Sequence, residues 1–256
     1  MPDIPDYAAV NRSYWDDMAH EWVEMGERAW QSEPTWGMFS VPDAGMDLVP
    51  ADMTGMRAIE LGCGTGYISG WMAKRGADVV GIDNSAKQLE TARRLADEHN
   101  VSIEFVHGIA ENLPYPDESF DYAVSEYGAA IWSDPYVWLP EAHRVLKSGS
   151  SLVFLTNSAL AVMCSPLDGS VADRTLHRPY FDMHRIDWTE VEVDPGGIDF
   201  HLTMTDWFAL FKKTGFAVED FYELRAPEPS DNVRFFVSDS WAYDFPAEQV
   251  WRVVKK

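Results

Sequence analysis

Three glycines spaced two apart, Gly62, Gly64 and Gly66, are the residues of this sequence best suited to holding a ligand. They follow a short apolar run at 58–61 and precede a segment with a helical pattern at 68–75. A strand, a glycine-rich turn and a helix open the nucleotide-type sites of α/β proteins. Glycine allows close backbone approach and positive φ, and unpaired N–H groups at the helix start face the same point. The pattern predicts a ligand site, although a tight turn without a ligand has the same spacing.

Asp83 is the acidic residue that the spacing pairs with this turn. It lies 17 residues after Gly66, at the end of the second predicted strand, 78–82. A carboxylate at that place can accept two hydrogen bonds from the vicinal hydroxyls of a ribose. The alternative is a residue that serves only the next helix, because Asp is favoured near a helix start. Together with the glycine turn, Asp83 favours an adenosine-type ligand.

The order of apolar and helical segments predicts an α/β fold. The alternation is typical of a doubly wound, mostly parallel sheet with right-handed crossovers. Ligands of such sheets lie beyond the carboxyl ends of the strands. The glycine turn, Asp83, residues 109–111 and residues 126–127 should therefore converge at one edge. The predicted strands are 57–61, 78–82, 103–107, 120–125, 152–156, 216–224 and 249–254, and the predicted helices are 68–75, 85–98, 140–146 and 206–213.

The start of the sequence is rich in aromatic side chains. Residues 1–50 are interpreted as an N-terminal helical lid, and residues 51–256 as the Rossmann-like domain that it covers. A helix is predicted at 14–27, with an apolar stripe that we expect to pack on the core. Tyr14 and Trp36 are candidates for side chains that reach the ligand from the lid. The stripe consists of Trp15, Met18, Trp22 and Met25.

The periodicity fails after the fifth predicted strand. A structureless stretch as long as residues 157–204 is uncommon inside a compact domain. We therefore interpret it as an insertion that caps the pocket and carries His184 and His201. No assignment follows for residues 226–245.

Composition restricts the class of partner. The 256 residues include 20 basic and 42 acidic ones, a net charge of −22, and 46% are hydrophobic. Such a chain can bury a core, but its charge repels nucleic acid and anionic membranes, which leaves a cationic or neutral small molecule. Cys63 lies in the glycine turn, so a disulfide with Cys164 is not expected. The lack of a signal-like opening segment and of an apolar run of about 18 residues gives the expectation of a cytoplasmic monomer or homodimer.

At four places the sequence resembles the motifs of class I S-adenosylmethionine-dependent methyltransferases. Residues 60–66 (ELGCGTG) are similar to the first motif, 83–85 (DNS) to the ribose and adenine segment, 108–121 to the adenine loop and fourth strand, and 141–150 to the helix and turn before the fifth strand. The resemblance spans about residues 56–157 and is strongest toward the small-molecule branch with the quinone-biosynthesis C-methyltransferases. It implies a seven-stranded Rossmann-like sheet with an antiparallel last strand and S-adenosyl-L-methionine as cofactor. It further implies S-adenosyl-L-homocysteine as product and an O, N or C nucleophile of a small organic acceptor.

The resemblance also implies roles for individual residues. Glu60 would help to position the turn and the methionine amine, Asp83 would hold the ribose hydroxyls, and Ala110 would meet the adenine edge through its backbone. Ile109 stands where the family often has an acid for the adenine amino group, so this contact falls to Glu111 or to backbone and stacking. The residues predicted to bind the cofactor are Glu60, Gly62, Cys63, Gly64, Gly66, Asp83, Asn84, Gln88, Ile109, Ala110, Glu111, Glu126, Tyr14 and Trp36.

Methyl transfer from a sulfonium needs mainly alignment and a dry pocket, because charge disappears in the transition state. A hydroxyl or acidic-carbon acceptor would also need a base, for which His184 and His201 are the candidates. Tyr127 joins the catalytic set because an aromatic face can contact the cation. No metal site is predicted, since no Cys or His pair recurs at short spacing. Two alternatives stay open: a nicotinamide-dependent oxidoreductase, which the G-x-G-x-G spacing disfavours, and a non-catalytic S-adenosylmethionine binder.

Overall fold

A central sheet of seven strands runs through the computed structural model, which describes residues 4–256. The first three residues of the predicted lid, 1–50, lie outside the described residues. The strands are β1 (Arg57–Leu61), β2 (Asp78–Asp83), β3 (Glu104–His107), β4 (Phe120–Glu126), β5 (Leu146–Asn157), β6 (Phe216–Leu224) and β7 (Glu248–Lys255).

The strand order confirms the predicted fold class. Across the sheet the order is β3-β2-β1-β4-β5-β7-β6. The strands β1 to β5 pair in parallel, and β7 lies antiparallel between β5 and β6. Helices cover both faces. They are α1 (Asp6–Met18), α2 (Val23–Gln31), α3 (Tyr67–Lys74), α4 (Ala86–Glu98), α5 (Gly128–Trp132), α6 (Pro135–Val145), α7 (Ala159–Cys164), α8 (Met204–Thr214) and α9 (Asp239–Asp244).

The sheet is buried on both faces, as expected for parallel strands flanked by helices. Side chains alternate between the faces with a period of two. Ile59 belongs to a core cluster with Trp207 and Trp251, whereas its neighbour Ala58 belongs to a second cluster with Met72. The four buried side chains of β1 therefore hold this strand in the middle of the sheet. They also determine the position of the glycine turn that follows it.

Two element boundaries differ from the prediction. The sixth helix begins at Pro135 rather than at Pro140, because Asp134 caps it by accepting a hydrogen bond from the Tyr136 N–H at 2.9 Å. Proline is common in the first turn of a helix and usually ends a helix when it lies in the interior. These two rules favour a start at Pro140, although the helix includes Pro140 in its interior. The fifth strand begins at Leu146, and Gly149, with φ of +81°, lies inside it rather than in a separate turn.

The aromatic N-terminal segment is not one helix. The predicted helix at 14–27 is divided into α1, a 3₁₀ turn at Ala19–Trp22 and α2. The expected core stripe is wrong as well: Trp15, Met18, Trp22 and Met25 are all only partly buried.

The predicted cap, residues 157–204, contains α7 and a two-stranded ribbon, Arg185–Asp187 with Ile198–Phe200. The unassigned residues 226–245 form a second small ribbon, Val233–Arg234 with Val237–Ser238, followed by α9. The division into lid, domain and cap stays a prediction. Within residues 4–256, no helix combines the length and the apolar composition that a membrane crossing requires.

Asn11 joins the N-terminal helix to the cap. Its amide nitrogen donates to the carbonyl oxygens of Trp132 (3.0 Å) and Ile198 (2.8 Å), and its Oδ1 accepts from the Ile198 N–H (2.7 Å). The side chain is 2% exposed. Asn11 thus holds α1, the end of α5 and the ribbon together over the carboxyl edge of the sheet.

Replacing Asn11 with Ala should lower the free energy of unfolding by about 1–3 kcal/mol, because a buried N–H and two carbonyls lose their partner. Thermal unfolding would measure it as a fall of roughly 2–4 °C for each kcal/mol. Ser13→Ala, at an exposed position of the same helix, is the control. Equal melting temperatures for the two variants would contradict this role of Asn11.

Candidate functional site

The glycine turn has the conformation that its composition predicts. Gly62, Gly64 and Gly66 have φ of +75°, +51° and +75°. A Cβ atom on Gly62 would lie 2.5 Å from the Cα of Gly128, so this position is dictated by backbone packing against α5. A Cβ atom on Gly64 would meet no protein atom within 4 Å. Gly64 therefore faces open space, where a ligand can approach the backbone.

Asp83 is hydrogen-bonded directly to this turn. Its Oδ2 accepts from the Gly64 N–H and its Oδ1 from the Ser85 N–H, each at 2.7 Å. Burial raises the pKa of Asp83, and the two N–H groups oppose that rise. Each carboxylate oxygen can accept a second hydrogen bond, so Asp83 keeps capacity for ribose hydroxyls.

A cavity of about 340 Å³ opens beside the turn and reaches under the N-terminal helix and the cap. Its size falls within the range of small-molecule sites. Most of the predicted site residues line it: Glu60, Gly62, Cys63, Gly64, Asp83, Asn84, Gln88, Ile109, Ala110, Glu111, Glu126, Tyr127, Tyr14 and His201.

Three predicted site residues do not line the cavity. Trp36 is fully buried in the core, where its indole N–H donates to Asp43 Oδ1 at 2.8 Å. His184 bonds through Nε2 to Asp134 Oδ1 at 3.1 Å and packs against Tyr136, away from the lining. The third residue is Gly66, which serves as the N-cap of α3.

Asn84 is engaged by the N-terminal helix. Its side-chain nitrogen donates to the Ala8 carbonyl at 2.7 Å, and its Oδ1 accepts from Arg12 Nε at 2.9 Å. Although Asn84 lines the cavity, both polar ends of its side chain are therefore used to dock α1 on the end of β2.

Two buried acceptors near this end of the cavity have no protein partner. They are Gln88 Oε1 and Glu111 Oε2. The other oxygen of Glu111 accepts from the Tyr7 hydroxyl at 2.9 Å, and burial raises the pKa of Glu111. A buried unpaired acceptor is costly, so both atoms fit a ligand that presents N–H groups, such as the adenine amino group.

Three carboxylates beneath the lid bind backbone N–H groups and hydroxyls instead of cations. Glu60 accepts from the Ser69 N–H at 2.7 Å and its hydroxyl at 2.5 Å. Glu126 accepts from the Gly37 N–H at 2.6 Å, and Glu248 from the Met38 N–H at 2.8 Å. Burial raises the pKa values of Glu60 and Glu248 to about 8. These contacts fix the lid segment 37–38 to the ends of the strands.

Tyr127 lies at the junction of this network. Its hydroxyl donates to Glu248 Oε1, and its backbone has φ of +57°. Burial raises the pKa of Tyr127 well above its ordinary value. The hydroxyl is thus a committed donor and is unsuited to taking a proton, whereas the residue still lines the cavity.

His201 is paired with an acid that the sequence reasoning missed. His201 Nε2 lies 2.9 Å from Asp199 Oδ2, and both residues line the cavity. Residues two apart on a strand share a face, so the order Asp-Phe-His at the end of the ribbon could have indicated the pair.

The sequence predicted Tyr14 in the aromatic lining but missed most of the other aromatic residues. Trp15 and Trp22, seven residues apart, were expected to face the core but line the cavity instead. Trp132, Trp188 and Phe235 join them from the end of α5 and from the two segments without periodicity. An apolar stripe on a helix indicates that this face is covered. It does not indicate whether the face packs on the protein core or lines a ligand cavity.

Comparison with known proteins assigns a family to the central part of the chain. Residues 59–154 match the family model described as a methyltransferase domain. A ubiquinone biosynthesis O-methyltransferase of Cereibacter sphaeroides is 33% identical over 107 residues, 42% of this chain and 43% of that protein. A demethylmenaquinone methyltransferase of Clavibacter sepedonicus is 41% identical over 104 residues, 40% and 42% of the two chains. The chain matches less than half of the length of these relatives.

The fold likeness extends further. The crystal structure of an S-adenosylmethionine-dependent methyltransferase from Mesorhizobium loti has a TM-score of 0.67 and 23% identity, and the alignment covers 86% of this chain and 100% of that one. Such an identity shows the fold alone. The part matched by sequence, 59–154, contains the glycine turn, Asp83 and residues 109–111, and is similar to a methyltransferase domain.

Gly62, which faces protein, should tolerate a side chain less well than Gly64, which faces open space. Gly62→Ala should cost about 2–4 kcal/mol of unfolding free energy, since it adds a steric clash to the strain of positive φ. Gly64→Ala should cost only the strain, about 1–2 kcal/mol. Chemical unfolding of both variants would measure the difference, and equal losses would contradict the assignment of Gly62 to backbone packing.

Glu248 should make the folded chain less stable as the pH rises. In the unfolded chain this side chain ionises near the ordinary glutamate pKa of 4.5, whereas in the folded chain it holds its proton to about pH 8. Between these values the folded state binds the extra proton, so the free energy of unfolding falls with rising pH, by up to roughly 1.4 kcal/mol per pH unit. Glu248→Gln removes this proton and should flatten the decline.

Chemical unfolding at about pH 5, 6.5 and 8 would measure the decline. Glu223→Gln, at an exposed position of β6, is the control and should keep the wild-type profile. A Glu248→Gln profile parallel to that of the wild type would show that burial of Glu248 does not produce the effect.

Proposed function

We propose that this chain, which carries a class I S-adenosylmethionine-dependent methyltransferase domain, transfers the methyl group of S-adenosylmethionine to a small organic acceptor. The observation that carries the proposal is the hydrogen bond between the Gly64 N–H and Asp83 at the floor of a cavity that continues into an aromatic chamber. A turn and an acid so placed suit the nucleoside half of the cofactor, and the chamber gives room for an acceptor.

The lining residues fit the cofactor. Asp83 has lone pairs for the ribose hydroxyls, and the open space at Gly64 lets the backbone approach the ligand. The unpartnered Gln88 Oε1 and Glu111 Oε2 would accept from the adenine amino group, with Ile109 against the ring. Glu60, fixed by Ser69, offers a carboxyl oxygen to the methionine amine. When bound, S-adenosylmethionine supplies an electrophilic methyl group on a positively charged sulfur.

The rest of the chemistry belongs to the chain's own residues. His201 Nε2 lies 2.9 Å from Asp199 Oδ2, so a proton on Nε2 would face this carboxylate and leave Nδ1 as a proton acceptor for the substrate. Asp199 sets the orientation of the ring, as a carboxylate does for a catalytic imidazole. Trp15, Trp22 and Trp132 make the chamber apolar, which favours a reaction in which the positive charge on sulfur is dispersed in the transition state.

The oxidoreductase alternative fits the cavity poorly. A nicotinamide dinucleotide carries a pyrophosphate, and phosphate sites rely on positive charge or a helix N-terminus. Among residues 4–256, no Lys or Arg belongs to the lining, whereas six carboxylates do. The cytoplasmic location and the state of monomer or homodimer expected from the sequence stay predictions.

Asp83→Asn should weaken the binding of S-adenosylhomocysteine at least tenfold, about 1.4 kcal/mol, because it removes the charge and one acceptor at the ribose. Isothermal titration calorimetry would measure the affinity. Asp97→Asn, at an exposed position of α4, is the matched control and should bind like the wild type.

Absence of wild-type binding at millimolar S-adenosylhomocysteine would refute the proposal. Tight binding of NADH in the same cavity would favour the oxidoreductase. Binding of the cofactor without release of S-adenosylhomocysteine across a broad acceptor panel would favour the non-catalytic binder.

A further inference from the structure

We infer that the acceptor is an amine, positively charged in solution and attached to a planar apolar body. This inference rests on the proposed function, and it concerns the half of the cavity formed by the N-terminal helix and residues 157–245. Three independent properties of that half point to the same substrate class: its charge, its unpaired hydrogen-bonding atoms and its aromatic wall.

The lining is rich in carboxyl groups, and burial raises the pKa values of four of them, Glu60, Asp83, Glu111 and Glu126. Within the described chain, no Lys or Arg lines the cavity. Glu60 and Asp83 lie at the ends of β1 and β2 and are accounted for by the cofactor, but Asp194 and Asp199 belong to the cap. Such a cavity attracts cations and repels anions, the more so as water is excluded. The six lining carboxylates are Glu60, Asp83, Glu111, Glu126, Asp194 and Asp199.

The guanidinium groups nearest to the cap do not reverse this charge. Arg178 stacks 4.8 Å from the centroid of Trp188 and donates to the Ser165 carbonyl at 3.1 Å, and it is not a lining residue. Arg12 is engaged by Asn84. Arg178 belongs to the cap and interacts with the charge of Asp199. Among the lining residues themselves, an anionic acceptor would meet carboxyl groups and no Lys or Arg.

The unpaired atoms of the cavity favour a ligand that is rich in hydrogen-bond donors. Among the described residues, six buried side-chain atoms without a partner belong to the lining, and five of them are acceptors. The only donor is Trp15 Nε1. Two of the acceptors, Gln88 Oε1 and Glu111 Oε2, are accounted for by adenine, and those of the acceptor half are Asn157 Oδ1, Asp199 Oδ1 and His201 Nδ1.

Two of these acceptors belong to residues that lie against each other, since His201 Nε2 is 2.9 Å from Asp199 Oδ2. Asp199 is 7% exposed and His201 is 2% exposed, so neither Oδ1 nor Nδ1 is satisfied by bulk water. An ammonium group has three hydrogens and can serve both atoms, whereas a hydroxyl has one and a carboxylate has none. An amine is the acceptor class that leaves neither buried atom unpaired.

The aromatic residues of the lining suit a planar cation. The rings of Trp15 and Trp132 meet edge to face at 5.2 Å, and those of Trp15 and Trp22 at 5.4 Å. Trp22 stacks on Phe235 at 5.7 Å with an interplanar angle of 5°. These rings are only partly buried or exposed, so their faces remain available for stacking and for cation–π contact.

The transfer balances with these groups. The ammonium gives one proton to His201 Nδ1, and the freed nitrogen lone pair attacks the methyl carbon. The C–S bonding electrons remain on sulfur, which becomes the neutral thioether of S-adenosylhomocysteine. The nitrogen takes the positive charge, and Asp199 stabilises the protonated imidazole until its proton passes to solvent.

Three indole compounds of similar size separate the acceptor classes: tryptamine (cationic), tryptophol (neutral) and indole-3-propionate (anionic). Calorimetry on wild-type protein saturated with S-adenosylhomocysteine should give at least tenfold tighter binding for tryptamine than for tryptophol, with indole-3-propionate weaker still. Equal or tighter binding of tryptophol or indole-3-propionate overturns the inference, and so does binding of none of the three.

A matched pair of variants tests the origin of the preference. Asp199→Asn should abolish the advantage of tryptamine over tryptophol, whereas Asp187→Asn, on the other strand of the same ribbon and outside the lining, should retain it. An unchanged preference in Asp199→Asn also overturns the inference. S-adenosylhomocysteine binding is measured first in each protein, so failure of the proposed function, which abolishes that binding in the wild type, is distinguished from failure of the substrate class.

Discussion

The hydrogen bond from Gly64 to Asp83 depends on how two strands end. β1 and β2 pair in parallel with Leu61 opposite Ile82, so the residues after them emerge at one edge. The turn is held there because the N–H groups of Gly62 and Cys63 both donate to the Ile82 carbonyl, at 2.8 and 3.0 Å. This anchorage leaves Gly64 directed at the next carboxylate along the edge. The cavity, the docking of α1 on Asn84 and the capping of α4 by Ser85 are all arranged around this point.

Some of the acidic side chains of this chain lie inside the protein rather than on its surface. Glu60, Glu126 and Glu248 are buried beside the site and are satisfied by backbone N–H groups and hydroxyls. Desolvation disfavours the charged form of a carboxyl group, so burial raises the pKa values of all three residues. The same contacts attach the lid segment 37–38 to the sheet. A binding partner that brings positive charge would offset part of this cost.

The elements near the turn could be predicted because several local signals agreed there. β1 was predicted with its observed bounds, α3 ends next to Gly76 with φ of +96°, and Ser85 caps α4. Periodicity does not reveal which buried surface a side chain faces, so Trp36 was expected in the cavity and lies in the core, while Trp15 showed the reverse. His184 pairs with Asp134, which is distant in sequence, so only tertiary packing reveals that pair, whereas the close spacing of Asp199 and His201 was a local signal.

The chemistry of the acceptor cannot be carried over from the family. The match ends at residue 154, whereas the acceptor half is formed by α1, the 3₁₀ turn and residues 157–245. A shared fold hosts many reactions, and the site decides which one occurs. The acceptor class therefore has to follow from the local balance of charge and hydrogen bonding. The chamber has aromatic walls, buried acceptors and, within residues 4–256, no lining Lys or Arg, which disfavours an anionic acceptor. A neutral hydroxyl has one hydrogen and cannot serve both Asp199 Oδ1 and His201 Nδ1. An amine meets all three conditions at once.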